Sequence, residues 1–114
     1  MLDKLQARHS LISSVTEYEH RLKGSIEQYK ATLQLKDGSL LHINEVWLAG
    51  ILHKYAYYWL TPIGTLLQGW DNAPHHKHVA TYPHHTHRDD QVFSSQVRSL
   101  TDVLDILEER LLPL

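Results

Sequence analysis

The chain has 114 residues, the length of one domain of ordinary size, so we expect a single domain spanning 1–114. It contains no cysteine, which excludes disulfide bonds, iron–sulfur clusters, zinc sites with cysteine ligands and a cysteine nucleophile. Eleven Lys and Arg against thirteen Asp and Glu give a net charge of −2, which excludes a strongly basic protein that wraps nucleic acid.

At the N-terminus, apolar residues recur at helical spacing between Leu2 and Ile12, which predicts a short helix. The charged residues Asp3, Lys4 and Arg8 interrupt this segment, so it lacks the apolar run of a signal peptide. No stretch of the chain approaches the roughly 18 apolar residues of a membrane-spanning helix. We therefore expect a cytoplasmic protein without membrane association.

The next part of the chain alternates between apolar and polar residues, which predicts strands. Five segments show this pattern: Val15–Leu22, Tyr29–Lys36, Ser39–Leu48, Ile51–Thr61 and Thr65–Trp70. Asp37-Gly38 favours a tight hairpin turn after the second strand, because both residues tolerate positive φ. Strands joined by such short turns pair antiparallel, so these segments predict a β-meander.

Two sets of side chains, one in the third predicted strand and one in the fourth, each have two interpretations. Glu45 shares a face with apolar residues, so we expect it to find a partner or to form a salt bridge at the rim of the sheet. Tyr55, Tyr57 and Trp59 share one face of the fourth strand. A stacking platform for bases is one interpretation of this aromatic row, but packing in the core is the favoured one.

The segment 71–88 contains six of the ten histidines and two prolines, so we predict a long polar loop with a functional role. Two Pro-His-His units begin at Pro74 and Pro83. Proline favours extended backbone here, so adjacent imidazoles should point to opposite sides and one of each pair can face a cleft. Asp71-Asn72 is also typical of an Asx turn that ends a strand.

After this loop, apolar residues at helical spacing predict a helix from Leu100 to Leu112. Ser99 and Asp102 at its start resemble a capping box. Terminal helices can cover the apolar face of a meander. The predicted fold class is therefore α+β, an antiparallel meander of about five strands with a short N-terminal helix and a C-terminal helix packed on the sheet.

Several motifs together resemble the TumE family of small bacterial and archaeal toxins. They are Trp70-Asp71-Asn72-Ala73-Pro74-His75-His76, Pro83-His84-His85-Thr86-His87, Asp37-Gly38-Ser39, Glu45 and Tyr55-Ala56-Tyr57-Tyr58-Trp59. The resemblance implies the toxin of a type II toxin–antitoxin system, with an adjacent helix-turn-helix antitoxin as its partner. Thr61-Pro62-Ile63 departs from the polar turn that similar members carry before Gly64, which affects a hairpin and not the proposed site.

Histidines that titrate near neutral pH can cleave RNA without a cofactor, because they supply a base, an acid and a cation for the phosphorane. The first hypothesis is therefore an endoribonuclease in which His76 and His85 are acid and base and Asp71 orients a histidine. His87 completes the catalytic set as a phosphate contact, together with Lys77. The candidate substrate-binding residues are His75, Lys77, His84, Arg88 and Asn72.

If segment 71–88 is an exposed loop, alanine at His76 or His85 should change the free energy of unfolding by less than about 0.5 kcal/mol. The isolated histidines His9, His20 and His53 are expected to be ordinary surface or half-buried residues.

The same segment supports a second hypothesis, a site for a divalent metal such as zinc or manganese. His76 and His78 lie on one side of an extended segment, and so do His85 and His87. Asp71 could complete three or four ligands. A third hypothesis is an interaction module without catalysis. The candidate partners are the helix-turn-helix antitoxin, RNA and a second copy of the chain.

Overall fold

The computed structural model describes residues 1–112, which form seven strands and two helices. In chain order they are α1 (Leu2–Gln6), β1 (Ile12–Lys23), β2 (Ile26–Leu35), β3 (Leu40–Leu48), β4 (Ile51–Leu60), β5 (Leu66–Asp71), β6 (His85–Arg88), β7 (Gln91–Ser94) and α2 (Leu100–Leu111). Each strand pairs antiparallel with the next, so the sheet has the order β1-β2-β3-β4-β5-β6-β7. The α+β class and the terminal helices are confirmed, but the sheet has seven strands where about five were predicted.

The two additional strands lie in and just after the segment that was predicted to be a loop. Residues 85–88 form β6, and a two-residue turn of Asp89 and Asp90 connects it to β7. Both turn residues have positive φ, 52° and 58°, as this type of hairpin requires. The turn lacks the Asn-Gly or Asp-Gly pair that marks such hairpins, so no local sequence signal predicted it. The true loop covers 72–84.

Both helices differ in detail from their predictions. The helix α1 ends at Gln6 and not near Ile12, because Ile12 pairs with Leu35 as the first residue of β1. The helix α2 begins at Leu100 as predicted, but the side chain of Ser99 makes no capping hydrogen bond. Neither helix within residues 1–112 is long and apolar enough to span a membrane.

The hydrophobic core lies between one face of the sheet and the helices. Its buried residues include Leu5, Leu33, Leu41, Ile43, Tyr57, Trp70, Leu100, Val103, Leu104 and Leu107. Arg8 ties the end of the N-terminal segment to α2 through ion pairs with Asp105 (2.8 Å) and Glu108 (3.1 Å). The helices therefore cover one face, which we call the helix face, and the opposite face of the sheet is the open face.

Glu45 lies within this core and not in a salt bridge at the rim. It is 4% exposed and accepts hydrogen bonds from Trp47 Nε1 (3.0 Å) and from the Tyr57 hydroxyl (2.6 Å). Burial, with a further contribution from Glu45, raises the pKa of Tyr57 above its usual value, so this hydroxyl remains a donor. Tyr55 and Tyr57 are buried on the helix face, and Trp59 packs against the same core, so the aromatic row is part of the core.

Candidate functional site

Three of the predicted site residues lie on adjacent strands at the open face. Asp71 is the last residue of β5 and pairs with His85 on β6, where His87 is also located. Their neighbours Trp70 and Thr86 are buried, and Trp70 belongs to the core on the helix face. Side chains alternate along a strand, so Asp71, His85 and His87 all point to the open face.

These three side chains are in direct contact. Nε2 of His85 lies 2.9 Å from Oδ1 of Asp71, and Nε2 of His87 lies 3.1 Å from Oδ2. The two Nε2 atoms are 3.0 Å apart. The 72–84 loop brings His76 to them, with ring centroids 4.7 Å from His85 and 5.6 Å from His87. We call Asp71, His76, His85 and His87 the histidine–carboxylate cluster.

Backbone and hydroxyl groups hold the inner part of the cluster in place. The Asp71 carboxylate accepts hydrogen bonds from the Ala73 backbone N–H (3.0 Å) and from the Tyr58 hydroxyl (2.9 Å). The first of these bonds forms the Asx turn that the sequence suggested. Nδ1 of His85 lies 2.8 Å from the carbonyl oxygen of Pro83. The positions of Asp71 and His85 are therefore fixed before any ligand binds.

The contact with Pro83 determines the proton arrangement of His85. A carbonyl oxygen only accepts hydrogen bonds, so Nδ1 of His85 carries a proton, and Nε2 of the neutral ring presents a lone pair. This lone pair faces the Asp71 carboxylate and Nε2 of His87. Lone pairs that face each other at about 3 Å require a cation between them. The cluster is thus arranged to hold a proton shared by its imidazoles or a metal ion.

The four members differ in exposure. Asp71 and His85 are 5% and 1% exposed, whereas the His87 side chain is 28% exposed and His76 is half-buried. His85 is therefore not an exposed loop residue, so the premise of the small expected change in its unfolding free energy is wrong for this position. His76 and His87 are the imidazoles that a substrate can reach.

Two pKa shifts act on this site. Partial burial lowers the pKa of His76, and positive charge on His85 or His87 lowers it further, which favours the neutral form of this imidazole. Burial and then the hydrogen bond to Asp71 raise the pKa of Tyr58 to about 12, so its hydroxyl donates throughout the neutral range.

Two of the predicted substrate-binding residues have structural contacts instead. His84 points away from the cluster, as expected for neighbouring imidazoles, and its Nδ1 lies 2.8 Å from the Tyr55 hydroxyl. Asn72 accepts a hydrogen bond from the Tyr55 backbone N–H (2.9 Å) and donates one to the His53 carbonyl (3.1 Å). Asn72 therefore fastens the start of the 72–84 loop to β4.

The other predicted residues surround the cluster without joining it. His78 is exposed, with its ring 5.9 Å from that of His76. His75 and Lys77 are exposed on the same loop. Arg88 is the exception, because it follows His87 on β6 and so points to the helix face, with its guanidinium 4.7 Å from the centre of the Phe93 ring. His75, Lys77 and His78 are available to a ligand at the edge of the site.

Tyr58 and Gly69 support the cluster, and neither was identified as a site residue from the sequence. Tyr58 lies on the open face of β4, and its ring covers Gly69 on β5 before its hydroxyl reaches Asp71. A Cβ at position 69 would lie 2.3 Å from this ring. A glycine inside a strand often marks such a close approach, so Gly69 was the available signal.

We expect Gly69→Ala to destabilise the protein by about 1–3 kcal/mol, because the new methyl group displaces the Tyr58 ring. Urea denaturation of the wild type and the variant measures this change. In a Tyr58→Ala background the same substitution should cost less than about 0.5 kcal/mol, since no ring is then in the way. Equal costs in both backgrounds would show that the Tyr58 contact does not explain the glycine.

Two grooves on the open face border the cluster. One has a volume of about 730 Å³, and its lining includes Lys30, Thr32, His42, Asn44 and Tyr58. The other has a volume of about 780 Å³, and its lining includes Lys54, Asp71, Asn72, His75 and Tyr82. Tyr58 and Asp71 hydrogen-bond to each other, so the cluster lies where the two grooves approach. An extended ligand on the open face would therefore pass beside the cluster.

The fold and the site define a small α+β protein with a histidine–carboxylate cluster on the open face of an antiparallel sheet. The model of a family described as Toxin TumE matches residues 2–111. The chain therefore belongs to the TumE toxin family, as the sequence motifs indicated. Comparisons with the curated proteins and with the solved structures found no match.

Proposed function

We propose that this chain is the toxin of a type II toxin–antitoxin pair and that it cleaves RNA at the histidine–carboxylate cluster. The observation that carries the proposal is the convergence of three imidazoles beside one buried carboxylate. Membership of a toxin family supports a harmful activity, and the grooves on the open face give an extended substrate access to the cluster.

RNA carries its own nucleophile, so cleavage needs little more than proton transfer and charge stabilisation. A base removes the proton of the 2′-hydroxyl, O2′ attacks the phosphorus, and the bond from phosphorus to O5′ breaks. An acid gives a proton to O5′, which leaves as a hydroxyl, and the other fragment ends in a 2′,3′-cyclic phosphate. Imidazoles suit both proton transfers near neutral pH.

Differences in exposure support one distribution of these roles within the cluster. His76 and His87 are the acid and base in this proposal, because they are the members that solvent and substrate reach. This pairing replaces the pair of His76 and His85 suggested by the spacing alone. His85 and Asp71 are buried, and in this proposal they stabilise positive charge on His87 and orient its ring. In this proposal the rim residues His75 and Lys77 contact phosphate groups.

We also propose that the cognate antitoxin is a helix-turn-helix protein encoded next to the toxin gene. Expression of the toxin alone should arrest growth of a bacterial host, and co-expression of the adjacent gene should restore it. His87→Ala should remove the arrest, because it deletes an exposed member of the cluster. His20→Ala is the matched control, since His20 pairs with Glu27 at the opposite edge of the sheet and should leave the arrest intact.

Growth rate and the amount of soluble protein are the two measurements in this experiment. Normal growth with abundant soluble wild-type protein would contradict the toxin proposal. If soluble His87→Ala still arrests growth, the cluster is not the source of toxicity, and toxicity by occupation of a partner would become the better explanation.

A further inference from the structure

We propose that the histidine–carboxylate cluster binds one divalent transition-metal ion through Asp71, His85 and His87, with His76 as a fourth ligand from the 72–84 loop. The proposal deepens the proposed function, and the metal's part in RNA cleavage rests on that function. Metal binding itself can be measured without RNA.

The spacing of the donor atoms is the first argument. The contacts from His85 to Asp71, from His85 to His87 and from His87 to Asp71 measure 2.9, 3.0 and 3.1 Å. Neighbouring ligands of a six-coordinate ion with bonds of about 2.1 Å lie about 3.0 Å apart, whereas those of a tetrahedral ion lie about 3.3 Å apart. These contacts join four donor atoms, because His85 faces Oδ1 of Asp71 and His87 faces Oδ2, and each contact has the spacing of neighbouring ligands around a six-coordinate ion.

The orientation of the donors is the second argument. Histidines that bind metal usually donate their other ring N–H to a carbonyl or carboxylate group. His85 does so through Nδ1 and Pro83, which leaves Nε2 free toward the cluster. The Asp71 oxygens each accept one hydrogen bond, from Ala73 and from Tyr58, and each retains a further lone pair for a metal.

The position of His76 is the third argument. One nitrogen from each of His76, His85 and His87 lies within 4.8 Å of the others. No hydrogen bond of the His76 ring is formed within residues 1–112, so its nitrogens are free to bind an ion. His76 lies on the 72–84 loop, so it would add a ligand from a different element than the two strands that carry the other three.

The donor set also indicates the class of metal. Imidazole ligands suit zinc, copper, iron and nickel, and a carboxylate ligand also suits manganese, whereas magnesium and calcium prefer sites built from oxygen. The octahedral spacing favours ions that accept six ligands, such as Mn²⁺. An ion at this site would occupy the nitrogen lone pairs of His76 and His87, so these imidazoles could not transfer protons and metal binding would suppress the cleavage proposed above.

Isothermal titration calorimetry on protein without an affinity tag, stripped with EDTA and then dialysed, tests the site. We expect one Mn²⁺ per chain and binding of Mg²⁺ at least about tenfold weaker. His87→Ala should weaken Mn²⁺ binding by at least about tenfold. His75→Ala is the matched control from the same histidine-rich segment and should leave the affinity unchanged, because His75 lies outside the cluster.

Absence of Mn²⁺ binding by the wild type would overturn the metal site, and the cation of the cluster would then be a proton. Equal losses in His87→Ala and His75→Ala would also overturn it, because they indicate unspecific binding by a histidine-rich loop. RNA cleavage is measured separately on stripped and reloaded protein. Specific Mn²⁺ binding without RNA cleavage by either form supports the site and contradicts the proposed function. Cleavage by stripped protein that Mn²⁺ suppresses supports both proposals, whereas equal cleavage by stripped and reloaded protein supports the function and overturns the metal's part in it.

Discussion

Replacing Asp71 by asparagine is expected to lower the rate of RNA cleavage by about 100-fold or more. The amide keeps the shape of the carboxylate and one oxygen that accepts a hydrogen bond, so the strand and the Asx turn are preserved. It loses the negative charge that balances the cation of the cluster. It also presents N–H groups where two imidazoles lie about 3 Å away, which disturbs the arrangement of protons on His85 and His87.

A pair of measurements separates this effect from misfolding. Single-turnover cleavage of an RNA oligonucleotide gives the rate, and thermal denaturation shows that the variant remains folded. Asp90→Asn is the matched control, because Asp90 is exposed in the neighbouring β6–β7 turn, where asparagine tolerates the positive φ. An undiminished rate in Asp71→Asn would contradict the role assigned to the carboxylate, as would an equal loss in Asp90→Asn.

Much of the fold was predictable because its signals are local. The hairpin at Asp37-Gly38 and the alternating residues of β2, β3 and β4 each indicate structure within a few residues. Residues 85–94 form strands for a different reason. Asp71 pairs with His85 across the whole 72–84 loop, and Thr86 is held by hydrogen bonds from Gln68 and to Gly69. Such pairing between distant segments leaves little trace in the segment itself.

The same distinction applies to the site. The composition of the histidine-rich segment correctly indicated that His76, His85, His87 and Asp71 come together. The sequence did not show which imidazole of each Pro-His-His unit faces inward, because that depends on the register of β6 against β5. The support from Tyr58 depends on the pairing of β4 with β5, which no spacing within one segment reveals.

His76→Ala is the second variant with a large expected effect. Its ring makes no hydrogen bond within residues 1–112 and is half-buried, so its removal should leave the melting temperature within a few degrees of the wild type. Its loss deletes a proposed acid or base, which typically contributes about 100-fold or more to the rate. His9→Ala is the control, because His9 is exposed and precedes β1, far along the sheet from β6.

The most direct test of the histidine–carboxylate cluster as the reactive centre is the rate at which purified wild type, His76→Ala and His9→Ala cleave one RNA oligonucleotide. We expect wild type and His9→Ala to produce fragments ending in a 2′,3′-cyclic phosphate at equal rates, and His76→Ala to be at least about 100-fold slower. A folded His76→Ala variant that cleaves as fast as the wild type would contradict this account, and so would a wild-type protein that arrests growth but cleaves no RNA.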